Sequence, residues 1–385
     1  MTPSLRSALL YALKVFVGVR VGLFVLGLLS PGLFPPIDPV SVPGWPARPL
    51  PDPGWHNVFT AWERFDALWY LRIADAGYRA GDGSAAFFPL YPLFTRFVSV
   101  ILGGRPFAAS LLVSNAALLA ALTLLYDLTR AEISDAAART TVVLLCVFPT
   151  SFFLFAPYSE SLFLLLAVAA LWAARRDRWW LAAAAGFGAA LTRNIGVVVA
   201  LALLAEAIQR RAEGDRRFLR GLAAVAATGA GTLAYLLFWQ VKAGDWLAPI
   251  HQQANWERVF AWPWTTLVDG TRSAFEYVGA TNGPYWLIDW LLVLPMLAAS
   301  VVALLRYRWA YRVYLWGGLL VPLSYVFPDR PLMSMPRFVL PLFPAFWAMA
   351  ELLDRWHVPR WVVAAVGAAG LGLLAPLFVN WYYIF

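Results

Sequence analysis

The chain has 385 residues, of which 61% are hydrophobic and only 14% charged, against roughly half apolar and a quarter charged in a soluble globular domain. This balance excludes an ordinary water-soluble enzyme and points to a polytopic membrane protein. The net charge of +8 invites a nucleic-acid surface, but the arginines sit in short loops between apolar runs, the pattern of cytoplasmic loops; nucleic acid is therefore set aside.

Apolar stretches of this length cross a hydrocarbon core of about 30 Å as helices rising 1.5 Å per residue. They lack the period of two that barrel strands require, so the expected fold is an all-α bundle. Taken along the chain, residues 10–29 form a first span, preceded by Arg6 and Lys14 and not followed by an Ala-x-Ala-type cleavage site, hence a membrane helix rather than a removable signal. A long external loop of about residues 30–106 follows. Within it residues 62–74 read as an amphipathic interfacial helix. Residues 87–102 are broken by Pro89, Pro92 and Arg96 and read as a re-entrant or interfacial piece.

Residues 107–126, 140–156 and 162–174 are read as successive passes. Residues 179–209 form a short broken hairpin with Thr192-Arg193-Asn194 near its centre. Arginine is costly in lipid and normally faces a cavity or partner, which makes Arg193 a functional-site candidate. Residues 221–240 lead to a second external loop of about 241–285, followed by passes at 286–305, 311–327, 337–349 and 361–380. The total is about eleven spans in one membrane domain covering residues 1–385. Clusters at Arg175, Arg176 and Arg178, at Arg210, Arg211, Arg216, Arg217 and Arg220, at Arg306, Arg308 and Arg312, and at Arg355 and Arg360 mark the cytoplasmic side.

That orientation gathers the remaining polar residues towards the opposite face. They are Glu63, Arg64, Asp66 and Arg72, then Tyr158-Ser159-Glu160-Ser161, Thr192-Arg193-Asn194, Gln252-Gln253-Ala254-Asn255-Trp256, and Asp329-Arg330 with Arg337. Acids and arginines beside a membrane suit an anionic, lipid-linked substrate, because the guanidinium fork matches phosphate. Several of the 20 tryptophans could stack on a sugar ring, although most suit the aromatic belt. The three histidines are scattered and the single cysteine, Cys146, lies in an apolar run. No His-Glu-x-x-His or phosphate-loop motif occurs. Glu63 and Asp66, three apart, could share a divalent cation such as Mg or Mn on a helix, or could be a solvated face.

The words Phe65-Asp66-Ala67, Ile73-Ala74-x-x-Gly77-Tyr78, Phe87-Phe88-Pro89-Leu90-Tyr91-Pro92, Tyr158-Ser159-Glu160-Ser161-Leu162-Phe163, Thr192-Arg193-Asn194 and Met335-Pro336-Arg337-Phe338 with Phe343-Pro344 together resemble the PIG-V-like mannosyltransferase family, part of the multi-spanning, GT-C-like glycosyltransferases. The resemblance implies a catalytic acid in the first external loop, which maps onto Asp66. It also implies a polyprenyl- or dolichyl-phosphate sugar as donor, most often mannose, and inversion at the anomeric carbon. This chain has Glu63 three residues before Asp66 rather than an adjacent second acid.

The expected mechanism has Asp66 as base on an acceptor hydroxyl, with Arg193 and Arg337 on the departing lipid phosphate. Glu160 orients Arg193 or binds sugar hydroxyls, with Glu63, Arg64, Tyr158 and Asn194 as further orienting groups, and Gln253 and Trp256 contact the acceptor. The acceptor is an extracytoplasmic lipid-linked molecule or glycan. The Ala, Arg and Gly content suggests a bacterial plasma membrane. A lipid or solute transporter is the competing expectation, which paired repeats and midplane charges would favour; a non-catalytic scaffold is a third.

Overall fold

The computed structural model describes residues 3–48, 50–281 and 284–384. Helix dominates the described residues, and among them one antiparallel ribbon pairs Val259–Phe260 with Tyr325–Val326. Among the described residues, five helices are long and apolar enough to cross a membrane: Ser4–Leu33, Pro106–Glu132, Phe218–Ala243, Pro284–Arg306 and Arg360–Val379. Each overlaps an expected span and extends it at one or both ends, since the helix continues past the apolar window into flanking polar residues.

The other expected passes coincide with shorter helices, from 12 residues in Trp179–Ala190 to 17 in Gly196–Ala212, which at 1.5 Å per residue fall short of about 30 Å. The stretch expected at 140–156 illustrates why. Its helix, Asp135–Val147, stops just before Pro149, and a separate turn, Phe152–Phe155, follows. Proline removes a donor and pushes the preceding residue out of the helical region.

The chain divides into two compact units, residues 1–79, 89–165 and 353–384 in the first, and 80–88, 166–352 and 385 in the second. In the first, helix Pro3–Leu33 packs against Pro106–Glu132 and Arg360–Val379. Helix Leu90–Ile101 is two-faced: Tyr91, Thr95 and Ser99 are buried, while Leu93, Phe97, Val100 and Ile101 are exposed. One face is thus packed inside the unit and the other, apolar face is left open.

Residues 62–74 are different from expectation. The helix begins at Asp66, runs to Ala76, and buries every residue from Ala67 to Ala74, including Arg72. It is enclosed rather than lying on a surface, because its apolar residues occur all round it, and such a helix is a core helix.

In the second unit, Phe218–Ala243 packs against Trp179–Ala190 and Gly196–Ala212, and the latter packs on Trp309–Leu323. A Cβ on Gly231 would lie 2.5 Å from the Phe187 carbonyl oxygen, so only glycine permits this approach. At one end of these helices, fully buried Glu206 receives Arg175 at 2.9 Å and Arg308 at 3.2 Å. Arg308 also meets Glu213 at 2.9 Å. Nearby in sequence, Arg210 pairs with Asp177 and with Asp215 at 2.8 Å, and Arg217 pairs with Asp177. Loops read as separate arginine clusters are therefore knitted together by ion pairs.

Candidate functional site

Asp66 is the first residue of its helix and is half-buried. An acid suits the first turn, where backbone N–H groups are unpaired. The residue before it, Phe65, has φ of +50°, a conformation unfavourable for a side chain with a Cβ and costing about 1–3 kcal/mol. Three rings hold it there: Phe378, Trp381 and Tyr383, with centroids 5.5, 5.3 and 5.1 Å away. The chain thus turns sharply into the helix at Asp66, and the C-terminal aromatics enforce the turn.

Glu63 and Arg64, immediately upstream, are both buried. Burial pushes the Glu63 carboxyl up, and the Arg48 guanidinium paired with it and Arg64 partly offset that rise. Arg64 donates from Nε to the Val379 carbonyl at 2.7 Å, and from one terminal nitrogen to the carbonyls of Thr60 and Glu63 at 3.0 Å each. It also stacks 4.9 Å from the centre of the Trp381 ring. Burial draws its guanidinium down to about 10. Arg64 ties the loop before Asp66 to the end of helix Arg360–Val379.

The word Tyr158-Ser159-Glu160 meets the same segment within the first unit. The Tyr158 hydroxyl donates to the Arg64 carbonyl at 2.9 Å. Ser159 Oγ lies 2.7 Å from the hydroxyl of Tyr70, one helical turn after Asp66. Tyr70 packs edge-on against Tyr91, 4.9 Å between centroids, whose hydroxyl reaches Ser114 Oγ at 2.8 Å. Ser114 in turn donates to the Tyr158 carbonyl at 3.1 Å. Glu160 opens helix Glu160–Arg175, is fully buried, and is an electrostatic neighbour of Tyr91. Three of the singled-out words are therefore one hydrogen-bonded structure.

The second unit holds the other candidates. The hairpin breaks at residues 191–195, between Trp179–Ala190 and Gly196–Ala212. Thr192 Oγ1 donates back to the Gly188 carbonyl at 2.7 Å, and exposed Asn194 accepts from the Ile195 N–H at 2.9 Å. Gly196 is required here, since a Cβ would stand 2.2 Å from the Ala189 carbonyl oxygen. Half-buried Arg193 leaves this turn towards Phe338, its Cζ 5.5 Å from the ring centroid. Arg337, in the short turn Met335–Phe338, lies 5.5 Å from the same centroid.

A third guanidinium, Arg258, lies 5.3 Å from it. The sequence reading did not single out Arg258, because it stands alone between exposed residues and its neighbours come from a distant segment. The segment carrying Arg337 is anchored by a buried ion pair. Arg330 Nε donates to Asp289 Oδ2 at 2.6 Å, and the guanidinium stacks on Tyr285 and Trp286.

Gln253 Nε2 donates to the Pro249 carbonyl at 3.2 Å. Trp256 packs on Phe87 with centroids 5.5 Å apart and donates to the Gly83 carbonyl at 3.3 Å. The adjacent Gln252, not Gln253, holds the segment 81–88, accepting from the Gly83 and Ala85 N–H groups at 3.1 and 3.2 Å. Among the described residues, no group of three or more His, Cys, Asp or Glu side chains is placed to hold a metal ion.

Residues 46–211 match the family model described as Mannosyltransferase (PIG-V). This span includes Glu63, Arg64, Asp66, Tyr158, Glu160, Arg193 and Asn194, and ends before Gln253, Trp256 and Arg337. No curated protein matches the sequence. Among solved structures, the fold is similar to the oligosaccharyltransferase AglB of Archaeoglobus fulgidus, in complex with an inhibitory peptide and a dolichol-phosphate: TM-score 0.52, 13% identity, 97% of this chain and 56% of that one. It is also similar to ArnT of Cupriavidus metallidurans bound to undecaprenyl phosphate, at TM-score 0.51 and 13% identity, covering 97% of this chain and 76% of that one. The apo state of ArnT gives TM-score 0.51 at 15% identity, with the same coverage. The chain thus spans little more than half the length of AglB. Residues 46–211 are thus similar to the mannosyltransferase (PIG-V) family that the motifs resemble, and the fold is similar to those of AglB and ArnT.

Proposed function

We propose that the protein is an inverting glycosyltransferase that moves a sugar, mannose by family likeness, from a polyprenyl-phosphate donor to a hydroxyl of a lipid-linked or glycan acceptor. Asp66 accepts the proton of that hydroxyl as its oxygen bonds to the anomeric carbon, and the bond from that carbon to the phosphate oxygen breaks on the opposite side. One base suffices for inversion, because a phosphate leaves already carrying charge and needs little help from an acid. Arg193 and Arg337 meet the charge that grows on the departing phosphate.

The observation that carries this assignment is the setting of Asp66. It lies inside the family-matched span, at the start of an enclosed helix, after a strained residue clamped by three rings. Strain of this kind, held by its surroundings, marks places where side-chain direction matters. The donor class is supported by the lipid phosphates bound in the AglB and ArnT structures. Glu160 and Tyr158 brace the motif, Glu63 and Arg64 hold its loop, Asn194 shapes the turn of Arg193, and Gln253 and Trp256 border the acceptor side. Glu63 is engaged by Arg48, so no step is routed through Mg or Mn.

The proposed setting is a bacterial plasma membrane, with about eleven passes and the chemistry on the extracytoplasmic side. The ion-paired joining of the loops that carry Arg175, Arg210, Arg217 and Arg308 supports a shared side for those clusters. The test is purified protein with radiolabelled polyprenyl-phosphate mannose and a panel of acceptors. Labelled product of inverted configuration is expected from the wild type, and a loss of about a thousandfold from Asp66→Asn with membrane insertion unchanged. Near-normal transfer by that variant would remove Asp66 as the base. Movement of lipid or solute across proteoliposomes without transfer would favour the transporter.

A further inference from the structure

Within the first unit, a cavity of about 170 Å³ lies where three helices end or begin. It is lined by Ala74 and Asp75 in the last turn of Asp66–Ala76, by Arg96, Ser99 and Val100 of Leu90–Ile101, and by the start of Pro106–Glu132. Space on this scale holds a small polar group and not merely one water, which takes up about 30 Å³ of liquid.

Sequence spacing explains how one helix brings three residues to the same wall. Ser99 and Val100 follow Arg96 by one helical turn and so share its face. The connection to the next helix runs through Gly103 and Gly104, with φ of +70° and +80°, values that favour glycine. The Gly104 N–H closes that turn on the Ser99 carbonyl at 2.9 Å. The space beside both glycines is open, with nothing within 4 Å of where a Cβ would stand.

Two of the walls favour an anion. One carries exposed Arg96 and buried Ser99, whose hydroxyl can serve a phosphate oxygen. Another is the N-terminus of a 27-residue helix with no acid in its first turn, where unpaired N–H groups and the helix dipole attract negative charge. The third wall favours a cation, because exposed Asp75 stands at the C-terminal, negative end of its own helix. Among the described residues, Asp75 and Arg96 line one cavity without pairing with each other. Beyond it the helix continues as an apolar ridge. Val100 lines the cavity and is 75% exposed, and Phe97, Ile101 and Leu93 are exposed as well.

We propose that this cavity holds the headgroup of a membrane phospholipid of the phosphoethanolamine class. Its phosphate lies with Arg96, Ser99 and the helix N-terminus, its ammonium with Asp75, and its acyl chains against Val100 and Phe97. A soluble zwitterion would meet the charges but leave the ridge uncovered, whereas a lipid meets both. A primary ammonium offers three N–H donors to a carboxylate. A trimethylated head offers none, and a glycerol head leaves Asp75 facing no cation. The site is independent of the base proposed at Asp66.

The experiment mixes the full chain in detergent with equal amounts of dioleoyl phosphatidylethanolamine, phosphatidylcholine and phosphatidylglycerol. Native mass spectrometry then counts the lipid retained. Wild type should retain the ethanolamine lipid about tenfold over either of the others, the scale of one charge-assisted hydrogen bond. Asp75→Asn should bring the ratio to the glycerol lipid close to unity, and Asp75→Glu should keep it. Arg96→Gln should lower retention of all three lipids, with Arg96→Lys restoring part of it. Both side chains are exposed, so each variant should melt as the wild type does.

Equal retention of the three lipids by wild type means an unselective lipid coat and overturns the proposal. An ethanolamine preference that survives Asp75→Asn places the lipid elsewhere and overturns it too. Glycerophosphoethanolamine displacing the lipid at an equal concentration would make this a soluble headgroup site, which ends the lipid assignment.

Discussion

Around Asp66, polar groups are locked by hydrogen bonds among short sequence words; around Phe338, cations from distant segments are gathered by a ring, a ribbon and a buried ion pair. In the first region Tyr158 and Ser159 bond directly to the segment of Asp66, and the strained Phe65 is wedged by aromatics. In the second, Arg337 stands on a turn whose neighbouring segment is fixed by Arg330 and Asp289. A general base must hold one direction, which suits a rigid hydrogen-bonded frame. A phosphate is met by charge from several sides, which suits guanidiniums brought from different segments.

The contrast can be broken most severely at the buried ion pair. Asp289→Ala leaves the Arg330 guanidinium, 6% exposed, without its carboxylate, and should cost about 3–5 kcal/mol of stability. A thermal melt in detergent measures it, and replacing both partners with apolar residues should recover much of the loss. Next in size, Arg193→Gln and Arg337→Gln should each weaken use of the lipid-phosphate donor by roughly a hundredfold, with acceptor dependence little changed. Initial rates against donor concentration check this; equal losses on donor and acceptor axes would mean a structural effect. The smallest change belongs to the first region. Tyr158→Phe removes the bond to the Arg64 carbonyl and should cost about 1 kcal/mol, seen as a lower melting temperature with donor affinity unaltered.

The long helices were legible from composition alone, since a run such as 107–126 has no alternative in lipid and the helix there is Pro106–Glu132. The break at Arg193 was legible as well, because thirty residues between arginine clusters leave no room for anything but a short hairpin. The enclosure of residues 67–74 was not. Its pattern resembles an interfacial helix until the surrounding elements are seen to cover every side. Arg64 carried no sign that its donors turn to the Thr60, Glu63 and Val379 carbonyls, as main-chain acceptors leave no trace in sequence. Arg258 was hidden for a related reason: its partners Tyr325 and Ser334 are reached through a two-residue ribbon too short to show a strand signature.

The central assignment, a base at Asp66 distinct from a phosphate site at Arg337, is tested most directly by measuring two quantities on the same samples. These are single-turnover sugar transfer and affinity for farnesyl phosphate, for wild type, Asp66→Asn and Arg337→Gln. The expected result is loss of transfer with wild-type affinity in Asp66→Asn, and loss of affinity in Arg337→Gln. Transfer at a near-normal rate in Asp66→Asn, or unchanged lipid-phosphate affinity in Arg337→Gln, would contradict it.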